Sequence, residues 1–487
     1  METKTGSSSG KQAEELSREL NEPGRPARGW RRVLLGVGRV ATWVVLVPPR
    51  RGMRVWTRLR APQQLVLGFA WYVVAGWLLL CLPVSQAARA PMLDHLFTAA
   101  SAVSTTGLTT VSVAETYTTF GEVVVLALFQ LGGLGFMTLS SVLVLARGGS
   151  LSASRAGVLR AGFSVPHYFV LSRFIVHVVA YTAVVEAIGA GVLWWRFSEL
   201  GVERPLWSAV FHSVSAFATA GFSLHNTSLE AYAGDWVVNV TVGCLCLFGA
   251  MGFIVFQDLW YSFKFRERMI TFTTKVIVTM TLVIMIGGAM ALFFIEPREA
   301  GAGWHEHLLV CGFQMVSAST TAGFNTTPIG GLSNASLVVI MLGMMVGASP
   351  SGTGGGMKTT TMSALCATVF SILRGRETVR WIGHEVPAVR LLQAVAAATV
   401  YLVLLWAGVA ALSLTEEASF LALAFEAASA IGTVGLSMGV TGDLSWVGKV
   451  IVIGLMFAGR CGPLTLGLAL LRPEAREEGV RRDDLAV

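Results

Sequence analysis

Charge is what this chain has least of. Only 13% of its 487 residues are Asp, Glu, Lys or Arg, against roughly 25% in a soluble domain. That shortfall excludes an ordinary soluble enzyme and a charged disordered chain. Cysteine is scarce as well. The six (Cys81, Cys244, Cys246, Cys311, Cys366 and Cys461) form no CxxC pair and mostly sit in apolar runs. They read as buried small hydrophobes, not as disulfides or metal ligands. Residues 1–24 are polar with no early apolar run, so a secretory signal is not expected. What is abundant is apolar surface: 54% of the residues are hydrophobic and the mean hydropathy is +0.65. Such a chain reads as a polytopic membrane protein. Its net charge of +7 is then a matter of loop distribution and does not point to nucleic acid.

Eight stretches approach the ~20 apolar residues that a span needs: 63–83, 120–146, 168–195, 235–262, 273–296, 335–372, 388–414 and 444–471. The shorter run 33–48, interrupted by Arg39, is expected to lie at the cytoplasmic surface as an interfacial helix. Segment 25–60 holds ten arginines and no acid, and 147–167, 263–272, 373–390 and 472–487 add fourteen basic residues. The alternate loops 84–119, 197–234, 297–334 and 415–443 hold three arginines against eleven acids. By the positive-inside rule both termini are cytoplasmic. The acidic outer face would concentrate cations.

Each outer loop contains one pattern. It runs Phe97, Ser101, Ala102, Thr105, Gly107, Leu108, then Phe211, Ser215, Ala216, Thr219, Gly221, Phe222. It returns as Phe313, Ser317, Ala318, Thr321, Gly323, Phe324 and as Phe425, Ser429, Ala430, Thr433, Gly435, Leu436. The glycines lie 114, 102 and 112 residues apart. Six positions at fixed offsets in four places signal fourfold internal repetition, with the unit span, re-entrant segment, span. A stretch of about nine residues from Phe to Thr is half a bilayer long as a helix. The Thr-x-Gly after it leaves helical geometry, which at membrane depth is tolerated only against protein or water. The expected fold is therefore all-α, with eight transmembrane and four re-entrant pore helices around a central pseudo-fourfold pore.

The chemistry follows from that arrangement. A short helix ending at a pore centre presents a partial negative charge. Main-chain carbonyls of Thr105-Thr106-Gly107, Thr219-Ala220-Gly221, Thr321-Ala322-Gly323 and Thr433-Val434-Gly435 can replace a cation's hydration shell. Glycine permits positive φ and close backbone approach. No carboxylate lies in these stretches, which favours a weakly hydrated monovalent cation over calcium or magnesium.

The sixth span contains Ser349, Pro350, Ser351, Gly352, Thr353, Gly354, Gly355, Gly356, Met357 and Lys358. Interior glycines cost about 1 kcal/mol each and a proline about 3 kcal/mol in a helix, so the helix should break there. A mobile gate under the filter is the expectation, a static kink the alternative. The stretch is not a phosphate-binding loop, because Met357 and not glycine precedes Lys358. Arg460, deep in the eighth span, either repels cations, bonds gate-loop carbonyls or snorkels towards the cytoplasm. Lys358 has the choice between function and snorkelling. Glu186 in the third span has no assignable partner. His305 and His307 flank Glu306 as a weak metal candidate, and Asn226, Asn325 and Asn334 head formal glycosylation sequons.

These motifs together resemble the Trk/Ktr/HKT superfamily of potassium transporters, over roughly residues 60–472. The absence of two extra leading spans makes the chain look like the KtrB-type membrane subunit. The resemblance implies that Gly107, Gly221, Gly323 and Gly435 help to select potassium, that 349–358 is an intramembrane gating loop, and that Arg460 is the arginine beneath it. It also implies a homodimer with one pore per protomer in the bacterial inner membrane. The implied partner is a cytoplasmic RCK ring (KtrA- or TrkA-like) that binds ATP or ADP, often NAD, and in some bacteria cyclic di-AMP. No dinucleotide-binding unit lies in this chain, so no organic cofactor is expected on it. The expected organisation is a disordered terminus 1–29, a basic interfacial segment 30–62, repeats 63–146, 147–262, 263–372 and 373–472, and a tail 473–487. The function implied is channel-like potassium translocation, open to sodium or proton assistance. A secondary transporter of an organic solute is the rival, with inverted repeats. An intramembrane enzyme is disfavoured, since His177 and Glu186 do not share a helix face.

Overall fold

The computed structural model describes residues 59–135, 171–265, 270–298 and 303–471. The arginine run up to Arg58, the helix expected over 33–48, the loop 147–167, the end of the second expected span and the tail lie outside the described residues.

Four successive helical groups follow one plan. The first has α1 (Ala61–Leu80), α2 (Met92–Ser104) and α3 (Thr119–Leu134). The second has α4 (Leu171–Glu199), α5 (Pro205–Phe217), α6 (Trp236–Ala250) and α7 (Phe253–Phe265). The third has α8 (Phe272–Ile295), α9 (Trp304–Ser319), α10 (Asn334–Met345) and α11 (Thr359–Leu373). The fourth has α12 (Ala388–Thr415), α13 (Phe420–Gly432), α14 (Trp446–Cys461) and α15 (Pro463–Leu470).

Each group's third helix starts on a side-chain cap. Thr118, Asp235, Ser333 and Ser445 accept from the N–H groups of Gly121, Val238, Ser336 and Gly448. Such caps satisfy amides that would otherwise be orphaned at a helix start. Large apolar side chains coat the outside, such as Leu78 at 58%, Ile188 at 63% and Leu414 at 87% exposure. The same side chains facing water would be an aggregation surface; facing lipid they are in their solvent. The motif phenylalanines Phe97, Phe211, Phe313 and Phe425 are buried. Phe129 of α3 packs on Phe211 and Phe222, with ring centroids 5.5 and 5.9 Å away.

The groups join in a closed circuit. The third helix of each packs on the short helix of the next: α3 on α5, α6 on α9 and α10 on α13. The circuit closes with α14 on α2.

Several expectations are corrected. Among the described residues, four helices are long and apolar enough to cross a membrane as single rods: α1, α4 from Phe174, α8 and α12. The spans 235–262 and 444–471 are bent pairs instead, turning 92° between α6 and α7 and 94° between α14 and α15. The hinge glycines Gly252 and Gly462 have φ of 88° and 82°, which the straight-span reading overlooked. The short helices run 13, 13, 16 and 13 residues, because they begin in the outer loop ahead of the motif phenylalanine. The fold is not purely helical: β1 (Arg380–Trp381) pairs antiparallel with β2 (His384–Glu385). Of the cysteines only Cys246, Cys311 and Cys461 are buried, and all six are free.

Candidate functional site

The four Thr-x-Gly stretches each finish a short helix in the same way. In the first, Thr105 N–H bonds Ala102 O at 3.0 Å and Thr106 N–H bonds Ser101 O at 2.9 Å. The other three repeat both bonds at the same offsets, from Thr219 and Ala220, Thr321 and Ala322, and Thr433 and Val434. This pair of bonds is the Schellman termination, whose left-handed residue is usually glycine. Here it is threonine, with φ of 52°, 50°, 59° and 51° in chain order. A β-branched residue in that region is strained. The sequence reading placed positive φ on the glycines alone. They have it too, at 92°, 67°, 78° and 98°, but the turn begins one step earlier.

The serine of the motif braces the turn. Ser101 Oγ accepts from Gly107 N–H at 3.0 Å, Ser429 Oγ accepts from Gly435 N–H at 3.0 Å, and Ser215 Oγ donates to Phe222 O at 2.8 Å. Ser317 Oγ has no partner.

The glycines touch one another in order. A Cβ added to Gly107 would meet Ala220 O at 2.5 Å and Gly221 Cα at 2.9 Å. One on Gly221 would meet Ala322 O at 2.8 Å and Gly323 Cα at 3.2 Å. Gly323 abuts Val434 O and Gly435 Cα, and Gly435 abuts Thr106 O and Gly107 Cα. The main chains of all four turns therefore form one ring, with the carbonyl of each middle residue against the preceding group's glycine. On one side lies a cavity of about 360 Å³ lined by the four glycines with Ser223, Asn226 and Ser437 among others. No lysine or arginine lines it, and burial pushes the His225 imidazole on its wall below the ordinary histidine range. Its wall is thus neutral or acidic, with Glu230 on it.

On the other side of the ring lies the broken stretch between α10 and α11. Thr353 is its hub. Its N–H bonds Gly249 O at 3.1 Å and its Oγ1 donates to Phe217 O at 3.0 Å, 3.2 Å from Thr219 Oγ1. Its carbonyl accepts from Thr105 Oγ1 at 3.4 Å and from Arg460 Nη1. Gly355 N–H donates to Thr433 Oγ1 at 2.9 Å. Gly354 stands against Thr321 Oγ1, the one motif-threonine hydroxyl without a hydrogen-bond partner. All four motif threonines thus face residues 353–355. Ser349 N–H bonds Ala250 O at 3.0 Å, and Ser351 Oγ accepts from Ile254 N–H at 3.1 Å. Gly352 leaves no room for a Cβ against Ala250 O, nor does Gly356, at φ 69°, lie far from Gly347. Pro350 O stands against Gly252 at the α6–α7 bend.

Arg460 does not snorkel. Besides Thr353 O, its guanidinium bonds Thr105 Oγ1 at 2.9 Å, Gly132 O, and Gly133 O at 3.3 Å. Lys358 Nζ turns back onto Gly354 O at 2.9 Å. Glu186, without an assignable partner in sequence, accepts from Gln130 Nε2 at 2.8 and 3.1 Å. His305, Glu306 and His307 form no metal-holding group, and none exists among the described residues. Sequence reading missed a second repeated signal, Gly-x-x-Gly at 132–135, 249–252 and 459–462. The first glycine of each lies against the carbonyl of Val103, Phe217 or Ile431, and the second has positive φ.

The family model TrkH, described as a cation transport protein, matches residues 65–476. The chain is 33% identical to Ktr system potassium uptake protein B of Bacillus subtilis, over 86% of this chain and 95% of that protein. It is 33% identical to the Vibrio alginolyticus protein of the same name, over 85% and 92%. It is also 33% identical to the potassium/sodium uptake protein NtpJ of Enterococcus hirae, over 87% and 96%. The crystal structure of the potassium transporter TrkH from Vibrio parahaemolyticus has the same fold, with a TM-score of 0.68, 20% identity and 94% of both chains covered.

Proposed function

The chain belongs to the TrkH family of cation transport proteins, and on that premise we propose that it is the potassium-translocating membrane subunit of a Ktr-type uptake system. It is a transport protein, not an enzyme. The observation that carries the reading is the closed ring of Gly107, Gly221, Gly323 and Gly435. Four main-chain turns against one another give an ion carbonyl ligands from every side, without a carboxylate to hold a divalent ion.

In this reading Thr105 to Gly107 and its three counterparts are the filter, and the repeats run over 63–146, 147–262, 263–372 and 373–472. The cavity above the glycines is the outer vestibule. Residues 349–358 block the path below, and Arg460 holds them shut through Thr353 O. The chain works as a homodimer in the bacterial inner membrane, both termini cytoplasmic, and a nucleotide-binding RCK ring moves the loop. The names of its relatives support potassium, and the potassium/sodium protein among them keeps sodium assistance open.

Uptake of rubidium and of sodium into proteoliposomes tests this. Rubidium is expected to enter much faster than sodium. Equal rates would remove the potassium assignment.

A further inference from the structure

At the far end of α11 from the loop, a concavity of about 890 Å³ is lined by Phe370, Ser371, Arg374, Arg376, Arg380 and Trp381 among others. It is built, not incidental. The N–H groups of Arg374 and Arg376 bond Ser371 O at 3.2 and 3.0 Å, and Arg380 N–H bonds Ser371 Oγ at 3.2 Å. One serine, 1% exposed, thus fixes the backbones of three arginines. The β1–β2 hairpin forms the opposite wall. Trp381 stacks on Phe370 with centroids 6.1 Å apart, and His384 stacks on Phe272 of α8 at 4.6 Å.

The charges are unspent. None of the three guanidiniums forms an ion pair among the described residues, and only Glu377 opposes them in the lining. The Trp381 indole N–H also finds no acceptor. Beside the cations stands exposed apolar surface: Phe370 at 51%, Ile372 at 66% and Leu373 at 77%. The hairpin tip adds Ile382, 40% exposed and at φ 46°. That position in a two-residue turn normally takes Asn, Asp or Gly, so an isoleucine there puts an apolar side chain outward against local preference.

We propose that this concavity binds an anionic phospholipid, with its phosphodiester on Arg374, Arg376 and Arg380 and its acyl chains along Phe370, Ile372 and Leu373. Planar guanidiniums match phosphate oxygens bidentately, and interfacial arginines are drawn to anionic lipid. A free phosphate would satisfy the cations and leave the apolar collar uncovered. The inference rests on the membrane reading but not on which ion passes. Because α11 begins directly after Lys358, the lipid tethers the helix that follows the gate loop.

The test is lipid retention by the full chain in detergent, read by native mass spectrometry with phosphatidylglycerol and with phosphatidylcholine. The wild type is expected to keep phosphatidylglycerol selectively. R374Q/R376Q/R380Q is expected to lose it about a hundredfold, at roughly tenfold or less per arginine, while R374K/R376K/R380K, which keeps the charges but not the planar forks, loses less. Equal retention by the wild type and the glutamine variant overturns the proposal. So does displacement of phosphatidylglycerol by millimolar inorganic phosphate, which marks a soluble-anion site. A measurement on the unaltered site guards against misfolding: brominated phosphatidylglycerol should quench the Trp381 fluorescence, taken as the difference from Trp381→Phe, more than brominated phosphatidylcholine does. Equal quenching also overturns it.

Discussion

Lys449 Nζ lies 2.6 Å from Asp94 Oδ1, across 355 positions of sequence. Asp94 sits in the first turn of α2 and Lys449 in the first turn of α14, so this ion pair joins the first group to the last. Their side chains are 5% and 15% exposed. Removing one partner of a buried pair costs about 3–5 kcal/mol, because the other charge is left stranded. Asp94→Asn is expected to lower the thermal unfolding temperature sharply, and D94N/K449Q to recover most of it. An Asp94→Asn protein that melts with the wild type removes the pair's role in closure.

Arg460 binds three carbonyls and one hydroxyl beneath the ring. Hydrogen bonds to a charged group are worth about 1.5–3 kcal/mol each. Losing the bond to Thr353 O alone shifts the loop's equilibrium by about tenfold or more. Arg460→Gln should therefore raise rubidium flux in the absence of any partner by at least about tenfold. Flux measured in proteoliposomes of the single chain decides it, and unchanged flux contradicts the latch.

Deleting residues 350–357 is expected to raise flux further. The structure gives a reason why the deletion can be tolerated: Ser349 Oγ and Thr359 Oγ1, on either side of the cut, are 3.0 Å apart, so the joined chain has a short gap to bridge. A folded deletion variant that conducts less than the wild type argues against a gate.

Gly107 cannot take a side chain without displacing Ala220 O, and its φ of 92° resists any L residue. Gly107→Ser is expected to cut the rubidium-over-sodium preference at least about tenfold, a loss of ~1.4 kcal/mol of discrimination. Competing uptake of the two ions measures it. An unaltered preference takes Gly107 out of the filter.

Thr433 Oγ1 accepts from Gly355 N–H. Thr433→Val keeps the shape and removes the acceptor, leaving a buried amide unpaired at about 1–3 kcal/mol. Resting flux should rise severalfold, and Thr433→Ser should behave as the wild type. If valine and serine act alike, the hydroxyl does not hold the loop.

The four-repeat plan was legible because main-chain contact dictates side-chain identity at Gly107, Gly221, Gly323 and Gly435: no other residue fits. The break at Ser349–Lys358 was legible because proline and glycine are poor helix formers. The left-handed threonines were not, since propensity forbids what the surrounding hydrogen bonds enforce. The bends at Gly252 and Gly462 were hidden by continuous hydropathy, which reports burial in lipid and not direction. The Asp94–Lys449 and Gln130–Glu186 pairs lie far apart in sequence, and no local pattern announces a partner that distant. The hairpin at 380–385 was hidden by its isoleucine, where turn chemistry would lead one to look for asparagine.

The circuit that ends with α14 on α2 also constrains biosynthesis. A ribosome that has released three groups has released an incomplete wall, with Lys449 not yet there to pair with Asp94 and one of the four turns missing from the ring. Arg60 Nη2 and Gln63 Nε2 reach Leu471 O and Ala469 O, at 2.9 and 3.2 Å, so even the start of α1 awaits the end of α15. The ring of glycine turns therefore cannot close midway through synthesis: it is complete only when the last group packs against the first.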